Sequence, residues 1–265
     1  MKKLLAVVLM SILFSSCLSD LRPKSRRSTS AYTAEMRQKG IEILEKYAMV
    51  SGQETWDNIQ SYQIFLNDDY FGTMGKLAQP FGQKRNQFRI EFYPNENSGS
   101  LLLLNGKKKG MVWGYNEGNT YVKETVNGAI KDVENKKIKF WLPTYQYFIE
   151  LPFRISNADQ IYHMGEEKYG LYNYDKVLVT WKQTAPQKKL DQYLIWVNQG
   201  TGLVDKLEFT LRDQAGFLKS TAIISEHIVY KGVVIPGLIK VYTREGSRNP
   251  LHVMRPHNFT VTSYQ

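Results

Sequence analysis

Apolar and polar residues alternate along much of the chain after residue 62, and this period of two constrains the fold more than any other feature. In the segment 87–92 every second residue is Phe or Ile, and the residues between them are Gln, Arg and Glu. The segments 206–212 and 177–181 show the same period, and 193–198 is apolar on both faces. Such alternation is typical of antiparallel strands that bury at least one face.

Short segments rich in Gly, Asn, Asp and Pro separate these predicted strands. Asn127-Gly128 lies between 121–126 and 129–133, which is a strong signal for a two-residue hairpin. No regular succession of strand and helix appears, so a parallel sheet is not expected. The sequence predicts an α+β fold, mostly antiparallel β, with about ten strands in a meander and a single β domain over residues 31–265.

Two segments have helical rather than strand patterns. Thr33–Tyr47 places apolar side chains at a spacing of three to four and begins with a capping threonine. Lys139–Glu150 is unusually aromatic, and we expect Pro143 to lie in its first turn. The second helix either covers the concave face of a curved sheet or is an ordinary core helix, and the residues leave both interpretations open.

The N-terminus has the pattern of an export signal. Two lysines precede the apolar stretch Leu4–Phe14, whose eleven residues are too few to span a bilayer. Two serines then precede Cys17, the only cysteine of the chain. This order resembles a bacterial lipoprotein signal; the alternative is an ordinary signal peptide with an incidental cysteine. The resemblance implies a signal peptide at 1–16, lipidation of Cys17 with a diacylglycerol and an acyl chain such as palmitate, and an outer-membrane location.

Residues 17–30 are polar and basic and show no apolar period, so they predict a flexible tether behind the lipidated cysteine. The chain has 35 Lys and Arg against 25 Asp and Glu. Part of this excess lies in the signal and the tether, and the lysine clusters elsewhere fall at predicted turns, where they keep strand edges soluble. For a lipid-anchored envelope protein, we therefore expect a membrane partner and no nucleic acid.

A search for chemical motifs gives negative results. The four histidines do not form an H-E-x-x-H motif, and no G-x-S-x-G nucleophile motif is present. One cysteine excludes a disulfide framework and a cysteine-based metal cluster. We expect the carboxylate pairs Asp68-Asp69 and Glu166-Glu167 in solvated turns and His252 in a loop. The sequence thus predicts no enzyme, no metal site and no cofactor.

Several motifs together resemble a known family. They are W-x-x-I-x-S-Y at 56–62, L-P-F at 151–153, the apolar run 193–210 and G-V-V-I-P at 232–236. Over roughly residues 33–265 the chain resembles the LolA/LolB-like superfamily of outer-membrane lipoprotein sorting, as a divergent lipoprotein branch. The resemblance implies a curved half-barrel sheet, with the N-terminal helix and the aromatic mid-chain helix covering an apolar concave face.

The aromatic content, with 5 Trp, 17 Tyr and 12 Phe, suits either an apolar pocket beneath the cover or a filled core. The first hypothesis is a monomeric, lipid-anchored envelope protein that binds a lipid, an acyl chain or a lipoprotein anchor. The alternative is a non-catalytic surface module that binds a protein or a glycan without an internal cavity. Bulky residues of the sheet and the mid-chain helix are the candidates to face a ligand: Phe88, Phe92, Trp113, Trp141, Phe148, Trp181, Trp196 and Phe209.

Overall fold

A computed structural model describes residues 18–28, 31–94 and 96–263, and within them thirteen strands form one open antiparallel sheet. Its strands follow the order β6-β5-β4-β3-β2-β1-β15-β14-β11-β10-β9-β8-β7, and β12 and β13 form a separate hairpin. The strands are β1 Ile59–Tyr70, β2 Arg85–Tyr93, β3 Ser98–Leu103, β4 Val112–Asn116, β5 Asn119–Lys123, β6 Lys131–Asp132, β7 Gln160–Tyr169, β8 Tyr172–Thr180, β9 Tyr193–Asn198, β10 Val204–Thr210, β11 Lys219–Ser225, β12 Ile228–Tyr230, β13 Val233–Ile235, β14 Leu238–Tyr242 and β15 His252–Ser263.

The predicted fold class is confirmed, although the sheet has more strands than expected. Strands of two or three residues, such as β6, β12 and β13, are too short for alternation to reveal. The hairpin predicted at Asn127-Gly128 does join β5 and β6, but its connection spans 124–130 because pairing stops at Val122 and Lys131.

The helices are α1 Ala34–Val50, α2 Gln53–Trp56, α3 Gly72–Ala78, α4 Lys136–Ile149 and α5 Leu151–Arg154, with 3-10 turns at Lys24–Arg26 and Ile155–Asn157. As predicted, Thr33 caps α1, and its side chain accepts a hydrogen bond from the N–H of Met36. The helix ends at Val50. Gly52, two residues later, has a φ of +91°, a conformation that favours glycine. Among the described residues, no helix is both long and apolar enough to cross a bilayer.

The aromatic helix α4 begins earlier than expected. The side chain of Asn135 accepts hydrogen bonds from the N–H groups of Lys137 and Ile138, at 3.0 and 3.3 Å, and so caps a helix that starts at Lys136. Pro143 therefore lies inside the helix, and its predicted place in the first turn is wrong. The prediction missed this cap because an aromatic run marks the middle of a helix better than its start.

Contacts of α4 show how strongly the sheet curves. Tyr145 packs on Phe88 of β2 with ring centroids 5.7 Å apart, while Phe148 packs on Phe209 of β10 at 5.8 Å. Four strands separate β2 from β10 in the sheet, which in a flat sheet is roughly 24 Å, yet residues 145 and 148 are less than one helical turn apart. The sheet must therefore bend around α4, and its concave face carries the main core.

A second, smaller core lies on the outer face of the sheet. It contains Trp196, Leu194 and Leu178, and Leu21 from the N-terminal segment joins it. The N–H of Leu21 donates to the side chain of Gln192 at 3.0 Å, and the guanidinium of Arg212 donates to the carbonyl of Ser19. Residues 18–28 thus lie against the sheet. This differs from the flexible tether predicted for 17–30, because one apolar side chain in a polar segment shows no period.

Replacing Leu21 by serine is expected to release the segment 18–28 from the outer face. Exposure of a buried leucine weakens the attachment by about 2 kcal/mol, which raises the open population and the rate of tryptic cleavage at the basic residues 22–27 roughly thirtyfold. Limited proteolysis followed by mass spectrometry measures this rate. Leu171→Ser, at a site 89% exposed, serves as the control, and equal cleavage of both variants would show that the segment is not held by Leu21.

Candidate functional site

The cover, defined as Lys136–Asn157, packs on the concave face, and most of the predicted ligand-facing residues meet beneath it. Six of the eight belong to the main core: Phe88, Phe92, Trp113, Trp141, Phe148 and Phe209. They come from β2, β4, β10 and α4. Strand alternation and the helical period therefore turn these six side chains toward one region.

The other two predicted residues lie elsewhere. Trp181 follows β8, is half-buried and packs edge-on against Tyr193 at the margin of the core, with ring centroids 5.9 Å apart. Trp196 faces the opposite side of the sheet and belongs to the outer core. The sequence could not separate these cases because β9 is apolar on both faces, so its alternation does not indicate which face is concave.

Side chains beneath the cover pack closely, and Phe88 and Phe92 are completely buried. Phe81 packs on Trp113 and Trp56 stacks on Phe153, both with ring centroids 4.2 Å apart. Two open grooves in the described part of the chain lie away from the cover, and none of the eight predicted residues lines them. One, of about 360 Å³, lies beside Lys206 on the outer face, and the other, of about 630 Å³, lies beside β5 and β6. Close packing of these rings is what the filled interpretation of the core predicts.

A buried polar cluster, the Asp68 cluster, joins the cover to the sheet. The hydroxyl of Tyr145 in α4 donates to Asp68 Oδ2 at 2.6 Å, and His252 Nδ1 lies 3.0 Å from Asp68 Oδ1. The ring of Tyr70 stacks on His252 with centroids 5.1 Å apart. Burial raises the pKa of both tyrosines well above the ordinary value, so they stay neutral donors.

The Asp68 cluster corrects two sequence expectations. Asp68 is completely buried within β1, where the sequence predicted a solvated turn. His252 is the first residue of β15 rather than part of a loop. The pairing of Tyr70 with His252 across β1 and β15 brings the histidine to Asp68. A contact between residues 184 positions apart has no local signal in the sequence.

A second buried polar cluster, the Glu150 cluster, lies where α4 meets α5. Glu150 Oε1 accepts hydrogen bonds from the hydroxyl of Tyr62 and the amide of Gln146, both at 2.9 Å. Arg154 Nε lies 3.5 Å from Glu150 Oε2. Burial nevertheless raises the pKa of Glu150 to about 7, because the loss of hydration outweighs the stabilisation by Arg154.

Some buried polar atoms of the cover have no hydrogen-bond partner. Gln146 Oε1, Tyr147 OH and Glu150 Oε2 are buried without a hydrogen-bond partner. A buried polar group without a partner is destabilising by roughly 1–3 kcal/mol. Apolar packing and the two polar clusters therefore hold the cover on the sheet against this cost.

One group of possible metal ligands is present in the described residues, at the edge formed by β7 and β8. His163, Glu166 and Asp175 offer ligand atoms within 4.8 Å of one another. The ammonium of Lys39 in α1 lies 3.2 Å from Glu166 and 4.0 Å from Asp175, and His163 bonds Asp175 at 2.8 Å. Because Lys39 already supplies positive charge beside Glu166 and Asp175, these residues form an ion-pair cluster that fixes α1 to the edge strand β7.

Comparison with known proteins relates this architecture to solved folds. No protein-family model and no curated protein matches the chain. Two solved structures, a DUF1329 family protein from Desulfovibrio piger and a LolA superfamily protein from Nitrosomonas europaea, superpose with TM-scores of 0.56 and 0.54. Their identities are 10% and 11%, and each match covers 85% of this chain and 93% or 94% of the other. The fold is LolA-like.

A third structure supports this conclusion. A Vibrio parahaemolyticus protein, provisionally named an outer membrane lipoprotein-sorting protein domain, superposes with a TM-score of 0.53 at 11% identity. The match covers 85% of this chain and 93% of that domain. The predicted resemblance to a LolA-like fold is thus confirmed, including the curved sheet and its helical cover. At such identities the likeness concerns the fold alone.

Proposed function

We propose that this LolA-like chain handles lipids or lipoproteins of the cell envelope by holding an acyl chain between the concave face and the cover. The main support for the proposal is the contact surface between the cover and the concave face. A helix rich in aromatic residues lies on an apolar concave face, but it is attached through two buried polar clusters and buries a further polar atom without a hydrogen bond, Gln146 Oε1. Separating the cover from the sheet would require less free energy than separating two purely apolar surfaces, because the buried polar groups regain hydration.

An acyl chain has the right chemistry to cover the apolar surface that opening exposes. Trp141 and Phe148 on the cover, and Phe88 and Phe209 on the sheet, bury apolar surface against each other. A bound chain would cover the same surface, and its affinity would come from apolar area at about 25 cal/mol per Å². This route needs no catalytic group, and we propose a non-catalytic binding role.

The fold of the solved structures agrees with this proposal. One of them carries a provisional name in outer membrane lipoprotein sorting, and another belongs to the LolA superfamily. The N-terminal sequence adds a lipoprotein signal at 1–16 and lipidation at Cys17, both of which lie outside the described residues. We propose that the mature chain is anchored by these acyl chains in the outer membrane and acts as a monomer.

Binding of fatty acids of increasing length is expected to tighten steadily. Each added methylene buried beneath the cover contributes about 0.8 kcal/mol, so affinity should rise roughly fourfold per methylene between eight and twelve carbons. The measurement is displacement of a dansyl-labelled undecanoic acid from a protein of residues 18–265, which includes every described helix and strand. An affinity that does not depend on chain length would contradict the proposal.

Two matched variants locate the binding face. Phe148→Ser removes an apolar contact from the cover, and Leu194→Ser removes one from the outer core. We expect only Phe148→Ser to weaken binding of the dansyl probe, by about tenfold, as expected for loss of roughly 1.5 kcal/mol of apolar contact. Circular dichroism and urea unfolding confirm that both variants remain folded before their affinities are compared.

The filled core favours a second candidate function. A protein whose interior is packed, as in this conformation, can act as a surface module that binds a protein or a glycan without admitting a ligand inside. This alternative predicts that no fatty acid displaces the probe and that no lipid accompanies the purified protein in native mass spectrometry. The same titration therefore separates the two functions.

A further inference from the structure

The two ends of the curved sheet carry opposite charge. The antiparallel register places the loops 71–84, 104–111, 124–130, 155–159, 181–192, 211–218 and 243–251 at one end, since pairs such as Tyr70 with His252 and Thr221 with Tyr242 terminate there. We call this the basic end, because its loops hold eleven Lys and Arg against five Asp and Glu. The opposite end is formed by the described residues of the loops 51–58, 94, 96–97, 117–118, 170–171, 199–203, 226–227, 231–232 and 236–237, which hold one basic and five acidic residues.

Large apolar side chains project from the basic end among these charges. Leu77 is 76% exposed and Phe217 is 68% exposed, and Met74, Val126 and Ile130 are also exposed. The opposite end exposes apolar groups as well, including Leu171, but its loops hold more acidic than basic residues. Among the loops that the structure describes, those of the basic end alone combine exposed apolar groups with an excess of positive charge.

The N-terminal segment begins at the same end. The N–H of Ser19 donates to the carbonyl of Gly216 at 2.9 Å, and Arg212 donates to the carbonyls of both residues. Phe217 is the next residue after Gly216. Leu18, the first residue that the structure describes, lies beside Gly216 in the loop 211–218. The described part of the chain therefore begins at the basic end.

From these observations we infer that the basic end docks flat on an anionic lipid bilayer, with Phe217 and neighbouring apolar side chains in the head-group region. Each Lys or Arg near an anionic surface contributes about 1 kcal/mol, and exposed apolar side chains add burial at the interface. The partner is thus a lipid surface of negative charge, and the domain is held in one orientation. This inference deepens the proposed membrane anchorage, but it does not depend on acyl-chain binding beneath the cover.

The experiment uses the unacylated protein of residues 18–265 with vesicles of phosphatidylcholine alone or with 30% phosphatidylglycerol. We expect the protein to sediment with the anionic vesicles only. High salt should weaken this binding, because the distance over which charges interact then falls below about 10 Å. Replacing Lys107, Lys108 and Lys109 by glutamate should weaken binding by more than about tenfold. The matched control replaces the exposed Lys46, Lys168 and Lys231 by glutamate, and we expect it to bind like the unchanged protein.

A second readout tests the orientation directly. The protein of residues 18–265 has no cysteine, so Phe217→Cys and Leu171→Cys each provide one site for a polarity-sensitive nitrobenzoxadiazole label. On anionic vesicles the emission at position 217 should shift to the blue, and that at position 171 should not change. Equal binding of the two charge variants, equal binding to neutral vesicles, or a shift at position 171 would overturn the inference. Displacement of the dansyl probe in solution is measured separately, so failure of docking is distinguishable from failure of acyl-chain binding.

Discussion

Asp68→Ala is expected to lower the free energy of unfolding by about 2–6 kcal/mol, because two buried groups lose their acceptor and each such loss is destabilising by about 1–3 kcal/mol. Asp68 is completely buried and accepts from Tyr145 of the cover, and its other oxygen lies 3.0 Å from His252. Its removal leaves the hydroxyl of Tyr145 and the ring nitrogen of His252 without this acceptor in a closed interior. Urea unfolding followed by circular dichroism measures the change.

The adjacent carboxylate provides the control for Asp68→Ala. Asp69 points to the other side of β1, is partly exposed and lies 3.9 Å from Arg255, so Asp69→Ala should change stability by no more than about 0.5 kcal/mol. Tyr145→Phe removes one hydrogen bond of the cluster and should have an intermediate effect of about 1–2 kcal/mol. If Asp68→Ala and Asp69→Ala proved equally mild, the Asp68 cluster would not hold the cover on the sheet.

Glu150→Gln is expected to stabilise the protein at pH 8 and to have little effect near pH 5. The pKa of Glu150 is raised from 4.5 to about 7 by burial, so between these values the folded protein holds a proton that the unfolded chain releases. Stability is therefore lost as the pH rises from about 4.5 to 7, by up to about 3 kcal/mol from this group. Glutamine stays neutral at every pH and can still accept from Tyr62, so most of that loss should disappear.

Unfolding in urea at several pH values between 4.5 and 8 tests this prediction. The difference in unfolding free energy between Glu150→Gln and the unchanged protein should grow as the pH rises from about 4.5 to 7 and level off above pH 7, with the variant more stable. Glu54→Gln, at an exposed position of α2, should show no such trend. A difference that is constant with pH, or that grows toward acid, would contradict the raised pKa of Glu150.

The alternation of side chains predicted the sheet well because it reports which residues share a face. Phe88 and Phe92 share the concave face because they are two steps of two residues apart on β2. Alternation does not report which face is concave, so the placement of Trp196 on the outer face had to come from the pairing of β9 with its neighbours. The same limit applies to every strand that is apolar on both faces.

The polar clusters beneath the cover could not be predicted, because partners distant in the chain create them. Asp68 has the local sequence of a solvated turn, and only the pairing of β1 with β15 and the packing of α4 enclose it. Glu150 resembles an ordinary residue at a helix end until Tyr62, 88 positions away, bonds to it. The attachment of Leu21 to Gln192, across 171 positions, was missed for the same reason.

The central claim is that an acyl chain enters between the cover and the concave face, and photochemical labelling tests it most directly. A palmitic acid that carries a diazirine near its terminal carbon is irradiated with the protein of residues 18–265, and the adducts are mapped by mass spectrometry. We expect adducts within the cover, Lys136–Asn157, and on β2 and β10, all suppressed by excess unlabelled palmitate. Adducts confined to the outer core around Trp196, or labelling that palmitate does not suppress, would contradict it.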